Sequence, residues 1–389
     1  MPGEIQAESS MNPSEDSVSI CIATHERPQW LGPTLEAIAR QTVKPLETVV
    51  SDSSSDDRSR RLVEQFASDH PDIAVRYLES CRSALPWHRW WASKHARGAF
   101  VLFLDDDIRL SPNAVEVLQA TRRDLEASGC EQVAGIGLTL RIEGGQRSRR
   151  RASFHERWLR TGSLPSFSIT QGGWSTGREV EVSGQVLQVE RFSGGSMAFR
   201  RDVLESVGPL EHLYRLYDLG VGRSEDAVLS QAARRQGPLF QVTSPLAVHP
   251  SPGVASHTVW PHVGWNAGLG HTWGRACVMR WMASDINAWR RDWHRVASLE
   301  VMRAVKSGPL RHPFRSEGWA RLAGACFGTL LGLLRWRTIP ASARCSFIPS
   351  SGGSVNANSS AMAAGPRPGL IGFRLCDRCP GSHQSDHDS

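Results

Sequence analysis

Long apolar segments are missing from this 389-residue sequence. Residues 1–16 are polar and acidic, without the apolar core of a secretory signal peptide. The apolar run Ala323–Leu334 is about half as long as the roughly 20 residues that a membrane-spanning helix requires. We therefore expect a chain that stays in the cytoplasm, with a disordered segment over residues 1–16 and no helix across a membrane.

A regular cysteine framework is also absent, because the eight cysteines are scattered along the chain. This spacing argues against the disulfide-rich secreted class and suits a reducing compartment. Cys376 and Cys379 form a lone Cys-x-x-Cys in a tail rich in Ser, Gly and Pro. We interpret that tail as a disordered segment over residues 341–389 rather than as a zinc site.

Glycine is missing where one class of nucleotide enzyme would need it. Ala23–Arg27 overlaps the end of the first predicted strand and contains no glycine. A nucleotidyltransferase acting on sugar phosphates is one enzyme class open to an α/β chain of this kind. Such an enzyme should carry a glycine-rich phosphate-binding loop here. The missing loop counts against that class.

The composition fits a folded protein whose ligands carry phosphate. Hydrophobic residues make up 40% and charged residues 22%, as in soluble globular domains. The net charge of +6 favours phosphate groups or an anionic membrane surface. We expect no nucleic-acid partner.

Strand-like and helix-like segments alternate from Val18 to Ala127. This alternation predicts an α/β fold with a doubly wound, mostly parallel sheet. The predicted strands are Val18–Ala23, Glu47–Val50, Ala74–Leu78 and Ala99–Leu104. The predicted helices are Leu31–Gln41, Arg58–Ser68, Pro86–Arg97 and one that opens at Ser111, as N-cap before Pro112, and runs towards Ala127.

The remaining chain divides into an ordered block and an appendage. Val180–Val189 alternates like a half-exposed strand, and Phe192–His249 completes a catalytic domain over residues 17–250. Residues 251–340 are rich in Trp and predict a helical C-terminal appendage. Trp281, Trp289 and Trp293 are expected on one face of a single helix.

Three adjacent carboxylates, Asp105–Asp107, follow the apolar strand Ala99–Leu104. A buried parallel strand delivers its C-terminal residues to the ligand crevice of an open α/β sheet. Carboxylates crowded there repel one another unless a cation lies between them. Mg²⁺ or Mn²⁺ fits, because these cations prefer oxygen ligands and share them with substrate phosphates. Helix capping by the Asp residues is the structural alternative.

A second acidic pair, Glu225–Asp226, precedes the helical run Ala227–Arg235. The pair could cap that helix, or one carboxylate could act as general base towards an acceptor hydroxyl. A glycine-rich turn, Ser193–Ser196, lies between the triplet and the pair in the sequence. The three features together favour a catalytic interpretation.

The chain resembles the family-2 glycosyltransferases, enzymes of the GT-A fold, from about Val18 to His249. The resemblance rests on five stretches that occur in the family's order. They are Ser19–Arg27, Val49–Asp56, His88–Gly98, Asp105–Asp107 and Ser224–Asp226. Trp90 departs from the pattern, because it stands where the family usually has Asn.

This resemblance implies an inverting transferase that moves a sugar from a nucleoside-diphosphate sugar to an acceptor hydroxyl. It implies Asp226 as the catalytic base, with Glu225 as the next candidate. Acceptor contacts are expected at Gly194, Gly195 and Ser196, and a metal site for Mn²⁺ or Mg²⁺ at Asp105, Asp107 and His249. The donor-binding residues are expected to be Thr24, Glu26, Arg27, Asp52, Arg89, Asp105 and Asp106.

Two further questions stay open at this stage. A non-catalytic carbohydrate-binding protein that uses the Trp-rich region is a rival function, although binding alone needs neither Asp107 nor Asp226. The acceptor is expected to be a saccharide, a lipid-linked sugar or a small molecule. Ala323–Leu334 either lies peripherally at the inner face of the membrane or packs against the catalytic domain.

Overall fold

A computed structural model describes residues 14–130, 132–143, 167–169, 184–218, 222, 224–249, 262–282, 286–307, 310 and 316–335. Most of the segment predicted to be disordered at the start, and all of residues 341–389, lie outside these ranges. Asp16 is an ordered part of the predicted N-terminal tail. Its carboxylate is 2.8 Å from Arg122 Nη1 and 3.1 Å from Arg123 Nη1. Order therefore begins before residue 17.

The described residues form one nine-stranded sheet and ten helices. The strands are β1 Val18–Thr24, β2 Glu47–Asp52, β3 Val75–Glu79, β4 Phe100–Asp105, β5 Arg109–Leu110, β6 Gly135–Ile142, β7 Val186–Val189, β8 Ser196–Arg200 and β9 Leu239–His249. The helices are α1 Pro28–Ala39, α2 Arg58–Asp69, α3 Leu85–His95, α4 Ala114–Ala127, α5 Arg201–Val207, α6 Glu211–Asp218, α7 Glu225–Ala233, α8 His262–Met282, α9 Ile286–Ser307 and α10 Ser316–Arg335.

The sheet is mixed but mostly parallel. Its first half runs in the order β3-β2-β1-β4, with parallel pairing throughout. β8 lies antiparallel between β4 and β6, and β9 runs parallel to β6. β5 and β7 each pair antiparallel with β9. The predicted doubly wound α/β fold is confirmed.

Strand register brings the candidate residues to one edge. Thr24 pairs with Asp52 of β2, and its neighbour Ala23 pairs with Asp105 of β4. Because these strands are parallel, their carboxyl ends open into the same crevice. The carboxyl ends of the first, second and fourth strands therefore converge.

The strand side chains alternate between two cores, one on each face of the sheet. On β4, Leu102 and Leu104 belong to the core beneath α1, α2 and α4, whereas Val101 and Phe103 belong to the core on the other face. Successive side chains of a strand point to opposite faces, and both faces of β4 are buried. Every residue of β4 before the acidic triplet is therefore apolar.

The start of α4 differs from the prediction. The helix begins at Ala114 rather than at Ser111–Pro112. Arg109–Leu110 instead forms β5 against β9, and the Ser111 backbone N–H donates to the Leu246 carbonyl at 2.8 Å. Ser111, which the local sequence marks as an N-cap, therefore bonds to a distant strand and does not begin the helix.

The tryptophans after residue 280 do not share one helix, which corrects the prediction. Trp281 lies on α8, while Trp289 and Trp293 lie on α9. Trp293 is fully buried. The appendage is helical as expected, but its tryptophans do not form one stripe.

Helix α10, which contains Ala323–Leu334, packs against α8 and also carries exposed apolar side chains. A Cβ at Gly328 would lie 2.9 Å from Thr272 Cβ and 3.2 Å from the Leu269 carbonyl oxygen, so the two helices approach closely. Trp319, Phe327 and Leu330 are exposed. Within the described part of the chain, no helix has the length and hydropathy of a membrane span.

Candidate active site

The three carboxylates of the triplet have different surroundings, and Asp106 points inwards. Asp106 is 2% exposed. Thr24 Oγ1 donates to Asp106 Oδ2 at 2.8 Å, and Arg27 Nη1 lies 2.8 Å from Oδ1. Burial raises the pKa of Asp106 to about 7, and the Arg27 charge and the Thr24 hydrogen bond oppose that rise. Its carboxylate therefore anchors the loop after β1 instead of facing a ligand as predicted.

Asp107 lies between two basic side chains. Arg27 Nη2 is 2.5 Å from Asp107 Oδ2, and His249 Nε2 is 3.6 Å from Asp107 Oδ1. His249 ends β9, so the last described strand reaches the same point as β4. Arg27 thus bridges two neighbouring aspartates through its two terminal nitrogens, and its side chain is still 35% exposed.

Asp105 faces the opposite side of the triplet. Its Oδ1 is 3.1 Å from Arg89 Nη2, and the other guanidinium nitrogen, Arg89 Nη1, is 3.0 Å from Glu225 Oε1. Arg89 is only 5% exposed. Arg89 is therefore a buried bridge between the triplet and the acidic pair, and its expected contact with the donor stays a prediction.

The predicted three-residue metal site is not assembled. Asp107 and His249 meet, but Asp105 pairs with Arg89. Among the residues that the structure describes, no group of three or more His, Cys, Asp or Glu side chains is arranged to hold a metal ion. Two protein ligands still suit Mg²⁺ or Mn²⁺, because such cations complete their coordination with substrate phosphates and water. Arg27 already places one positive charge beside Asp106 and Asp107.

The loop after β2 holds Asp52 firmly. Ser54 donates to Asp52 Oδ1 from its backbone N–H at 2.8 Å and from its hydroxyl at 2.6 Å. Tyr77 Oη donates to Asp52 Oδ2 at 2.8 Å. Asp52 is buried, so the carboxylate predicted to meet a nucleotide base is oriented by three hydrogen bonds.

Glu26 joins this loop to the loop after β1. Its φ of +57° is unusual for a residue with a side chain, and it directs the carboxylate towards Ser55. Glu26 Oε1 accepts hydrogen bonds from the Ser55 backbone N–H at 2.8 Å and from the Ser55 hydroxyl at 2.7 Å. These hydrogen bonds lower the pKa of Glu26. These hydrogen bonds therefore connect the loop after β1 to the loop after β2.

Glu225 at the start of α7 has both oxygens engaged. Oε1 faces Arg89, and Oε2 accepts a hydrogen bond from Tyr217 Oη. Burial raises the pKa of Glu225, while the Arg89 charge opposes that rise. A small, partly open pocket is lined by Glu225 and Arg89 together with Trp90, Phe103 and Leu229 among others.

Asp226 is held mainly by the backbone. Its Oδ2 accepts the Gly194 N–H at 3.0 Å, and its Oδ1 accepts the Ala227 N–H at 2.8 Å. Arg191 Nη1 lies 3.3 Å from Oδ2. The Asp226 side chain is largely, but not fully, buried.

The Gly194–Gly195 turn separates the acidic triplet from the acidic pair. Gly195 has φ +100°, and a Cβ there would lie 3.0 Å from Asp105 Oδ2. A Cβ at Gly194 would lie 3.6 Å from both Asp226 Oδ2 and Glu225 Oε1. Two adjacent residues without side chains therefore face the two carboxylate groups. Ser196, the third residue predicted to meet the acceptor, is buried and donates to the Leu138 carbonyl at 2.9 Å instead.

Sequence reasoning missed three residues of this site. Arg191 supports Asp226, Tyr217 supports Glu225, and His88 lies 2.7 Å from Ser51 Oγ and 3.1 Å from Ser53 Oγ. Each is a single residue outside any periodic or spaced pattern. Only His88, within the stretch matched to the family, carried a signal of location.

Residues 19–208 match the sequence profile of the family described as Glycosyl transferase family 2. The chain is 24% identical over 211 residues to a glucosyl-dolichyl phosphate glucuronosyltransferase of Haloferax volcanii, covering 54% of this chain and 58% of that protein. It is 29% identical over 101 residues to a GalNAc(5)-diNAcBac-PP-undecaprenol beta-1,3-glucosyltransferase of Campylobacter jejuni, covering 26% of this chain and 33% of that protein. The chain thus spans less than two thirds of either relative.

Among solved structures, S. aureus TarS 1–349 is similar, with a TM-score of 0.49 and 13% identity over 82% of both chains.

Proposed function

Since residues 19–208 belong to glycosyltransferase family 2, we propose that the protein transfers a sugar from a nucleoside-diphosphate sugar to an acceptor hydroxyl, with inversion at the anomeric carbon. One observation carries this proposal. The acidic triplet and the acidic pair lie on either side of the Gly194–Gly195 turn, within reach of the same small substrate. A sugar lying over the glycines would have the donor phosphates on one side and a proton acceptor on the other.

The donor occupies the crevice at the carboxyl ends of β1, β2 and β4. Asp52, fixed by Tyr77 and Ser54, is oriented for the nucleotide base. Arg27 is the partly exposed cation at the triplet and suits the diphosphate, because a guanidinium matches phosphate oxygens in pairs. Thr24 and Glu26 support this arrangement by fixing Asp106 and the Ser54–Ser55 loop.

Asp107 and His249 would hold a divalent cation, with Asp105 as the third candidate. When bound, such a cation would neutralise charge on the departing diphosphate. Asp107 and His249 suit this role because Nε2 and Oδ1 are 3.6 Å apart, where β9 ends beside the triplet. Asp105 would join only by leaving Arg89, to which it is bonded at 3.1 Å.

Asp226 is the better candidate for the general base. Glu225 has one oxygen on a buried guanidinium and the other on a tyrosine hydroxyl, so it would have to leave one of these partners to meet an acceptor. Asp226 Oδ2 lies at the glycine turn, where an acceptor hydroxyl would approach the sugar. Removal of a hydroxyl proton by a positioned carboxylate raises the nucleophilicity of the oxygen.

Calorimetry with uridine and guanosine diphosphates, each with Mn²⁺ and with EDTA, tests the donor side. We expect Mn²⁺-dependent binding of one nucleotide to the wild-type chain and loss of that dependence in Asp107→Ala. Asp72→Ala is a control, because Asp72 is an exposed carboxylate 3.9 Å from Lys44 and away from the site. Unchanged Mn²⁺-dependent affinity in Asp107→Ala would remove Asp107 from the site.

The acceptor is proposed to be lipid-linked, and the protein to lie peripherally on a membrane surface. The two relatives above are named for dolichyl phosphate and undecaprenol acceptors or substrates. Helix α10 exposes Trp319, Phe327 and Leu330, and an exposed apolar face on a helix suits the headgroup region of an anionic membrane. The other side of α10 packs on α8, so attachment would leave the fold unchanged.

Flotation with anionic phosphatidylglycerol vesicles tests this attachment. The full chain should float, and a variant with Trp319, Phe327 and Leu330 all changed to Ser should stay in the dense fraction. Leu46→Ser is the control, because Leu46 is an exposed leucine on the catalytic domain. If the full chain never floats, the membrane proposal is wrong while the transferase proposal stands.

A further inference from the structure

Arg27 occupies a place at the triplet that the proposed divalent cation also needs. Its two nitrogens take one oxygen each of Asp106 and Asp107, at 2.8 and 2.5 Å. Asp107 therefore offers a cation only one oxygen, Oδ1, which faces His249. In the free protein, the Arg27 guanidinium is the positive charge that pairs with Asp106 and Asp107.

We propose that Arg27 competes with the divalent cation for Asp107 and gives way only when the donor diphosphate binds. This inference rests on the proposed function. A guanidinium and a divalent cation that share one carboxylate repel each other, because their charges lie only a few ångströms apart. Arg27 and the divalent cation can both bind stably at this site only if one of them pairs with an additional anion. The diphosphate supplies that anion, so Arg27 moves from Asp107 to phosphate as the cation moves onto Asp107.

The two aspartates differ in how well they tolerate the departure of Arg27. Asp106 keeps its hydrogen bond from Thr24 Oγ1 at 2.8 Å. Asp107 keeps only the neighbouring His249, at 3.6 Å. Loss of Arg27 therefore leaves Asp107 as the carboxylate that gains most from a new cation.

The position of Arg27 also allows the exchange. The preceding residue, Glu26, has φ +57° and is tied through its backbone N–H to Ser54 Oγ at 2.7 Å. The backbone of the loop is thus fixed, while the Arg27 side chain remains 35% exposed. A fixed backbone with a partly open side chain permits a change of partner without movement of the strands.

The consequence is coupling between two ligands. The cation should bind weakly to the free protein and more tightly when a nucleoside diphosphate is present, and the nucleotide should respond to the cation by the same factor. The diphosphate itself would supply ligand oxygens to the cation and so cause part of this coupling. Only the part that depends on Arg27 is specific to the exchange.

Titration of Mn²⁺ into the nucleotide-free chain separates these contributions. In Arg27→Gln, the affinity for Mn²⁺ alone should rise about tenfold, and nucleotide affinity without Mn²⁺ should fall about tenfold. The affinity for Mn²⁺ in the presence of nucleotide should change little, so the coupling factor should fall about tenfold relative to wild type. Arg27→Lys keeps the charge, so its affinity for Mn²⁺ alone should remain within about threefold of wild type. Arg123→Gln is the control, because Arg123 pairs with Asp16 at 3.1 Å on α4.

The measurement is calorimetry, with manganese electron paramagnetic resonance as a second readout, and thermal unfolding verifies that each variant is folded. Equal Mn²⁺ affinity in wild type and Arg27→Gln would overturn the inference. Should Arg27→Gln fail to fold, the Arg27→Lys variant decides, since Mn²⁺ affinity raised tenfold despite the retained charge contradicts the competition. Failure of the wild-type chain to bind any nucleoside diphosphate with Mn²⁺ would instead contradict the proposed function itself.

Discussion

Asp105 and Asp107 of the acidic triplet and Asp226 of the acidic pair are all carboxylates, but they are held in different ways. Asp105 and Asp107 are bonded to arginine side chains, one of which is partly exposed. Asp226 is held mainly by the backbone N–H groups of Gly194 and Ala227, with the buried Arg191 Nη1 at 3.3 Å. A side chain changes partner by rotation, whereas a backbone donor moves only with its whole segment. The difference suggests that the donor side is built for exchange of charge and the base for a constant position.

The largest effect is expected from changing the fixed carboxylate. Asp226→Asn keeps the shape of the side chain and removes its ability to accept a proton, so sugar transfer should fall by about 10²–10⁴-fold. Binding of the nucleotide donor should change little, because Asp226 lies beyond the glycine turn from the triplet. Rates are measured as release of nucleoside diphosphate in the presence of acceptor.

Two variants sharpen this test. Asp202→Asn is the control, because Asp202 is an exposed aspartate near the start of α5 that pairs with Arg200. Glu225→Gln examines the neighbouring acid. If Asp226→Asn transfers at nearly the wild-type rate and Glu225→Gln does not, Glu225 is the base and its contacts with Arg89 and Tyr217 must rearrange.

Loss of the bridge between the two groups should cost the most stability. Arg89→Met removes a buried guanidinium and leaves Asp105 and Glu225 without their shared cation. Breaking a buried ion pair in this way costs about 3–5 kcal/mol of unfolding free energy. Arg123→Met, at a more exposed pair with Asp16, should cost about 0–1 kcal/mol. Urea unfolding of both variants measures the difference, and equal costs would contradict the bridging role.

Acid should lower the free energy of unfolding through protonation of His88, which lies on the donor side of the site. Burial lowers the pKa of His88 from 6.5 to about 4, because the ring lies between Ser51 and Ser53 beneath the loop after β2. The neutral ring is favoured in the fold, so its contribution is present above pH 6.5 and is lost as the pH falls from 6.5 towards 4. The full loss amounts to about 3 kcal/mol.

The pH effect is measured by urea unfolding at pH 7.5 and pH 4.5. His88→Asn should lose less stability over this interval than the wild-type chain. His294→Asn, at an exposed position on α9, should lose as much as wild type. A His88→Asn variant with the wild-type pH dependence would show that the imidazole does not titrate in this range.

The smallest effect is expected at the turn between the groups. Gly195→Ala introduces a side chain at φ +100°, with its Cβ 3.0 Å from Asp105 Oδ2. Gly129 has φ +85° with nothing within 4 Å of its would-be Cβ, so Gly129→Ala carries the backbone cost alone. That backbone cost is about 1 kcal/mol, and Gly195→Ala should exceed it by about another 1 kcal/mol. If the two variants lose equal stability, the contact with Asp105 is not tight.

Much of this arrangement could be predicted from the sequence. The order of strands and helices up to Ala127 followed from the alternation of apolar runs, and the apolar β4 located the triplet at the sheet edge. These features repeat over many residues, and a buried strand requires them. The acidic pair at the start of α7 was also expected, because Glu and Asp favour a helix N-terminus.

Features that depend on distant partners were not predictable. Ser111 has the local character of an N-cap, but its backbone bonds to Leu246 of β9. No glycine or proline separates Met282 from Ile286, and the only sign of the break between α8 and α9 is Ser284–Asp285, two residue types that favour a helix N-cap. The partners of Arg27 and Arg89 likewise depend on how the loops meet after folding. The family resemblance assigned both arginines to the donor side but did not indicate these partners.

Release of nucleoside diphosphate from a panel of nucleotide sugars is the most direct test of the transferase proposal. The full-length chain is incubated with each sugar nucleotide and Mn²⁺, with a lipid-linked acceptor or water, and compared with Asp226→Asn under the same conditions. We predict that one nucleotide sugar is consumed by the wild-type chain, that EDTA stops the reaction, and that Asp226→Asn binds this donor without consuming it. Equal consumption by wild type and Asp226→Asn, or none of any nucleotide sugar by a folded wild-type chain, would contradict the account.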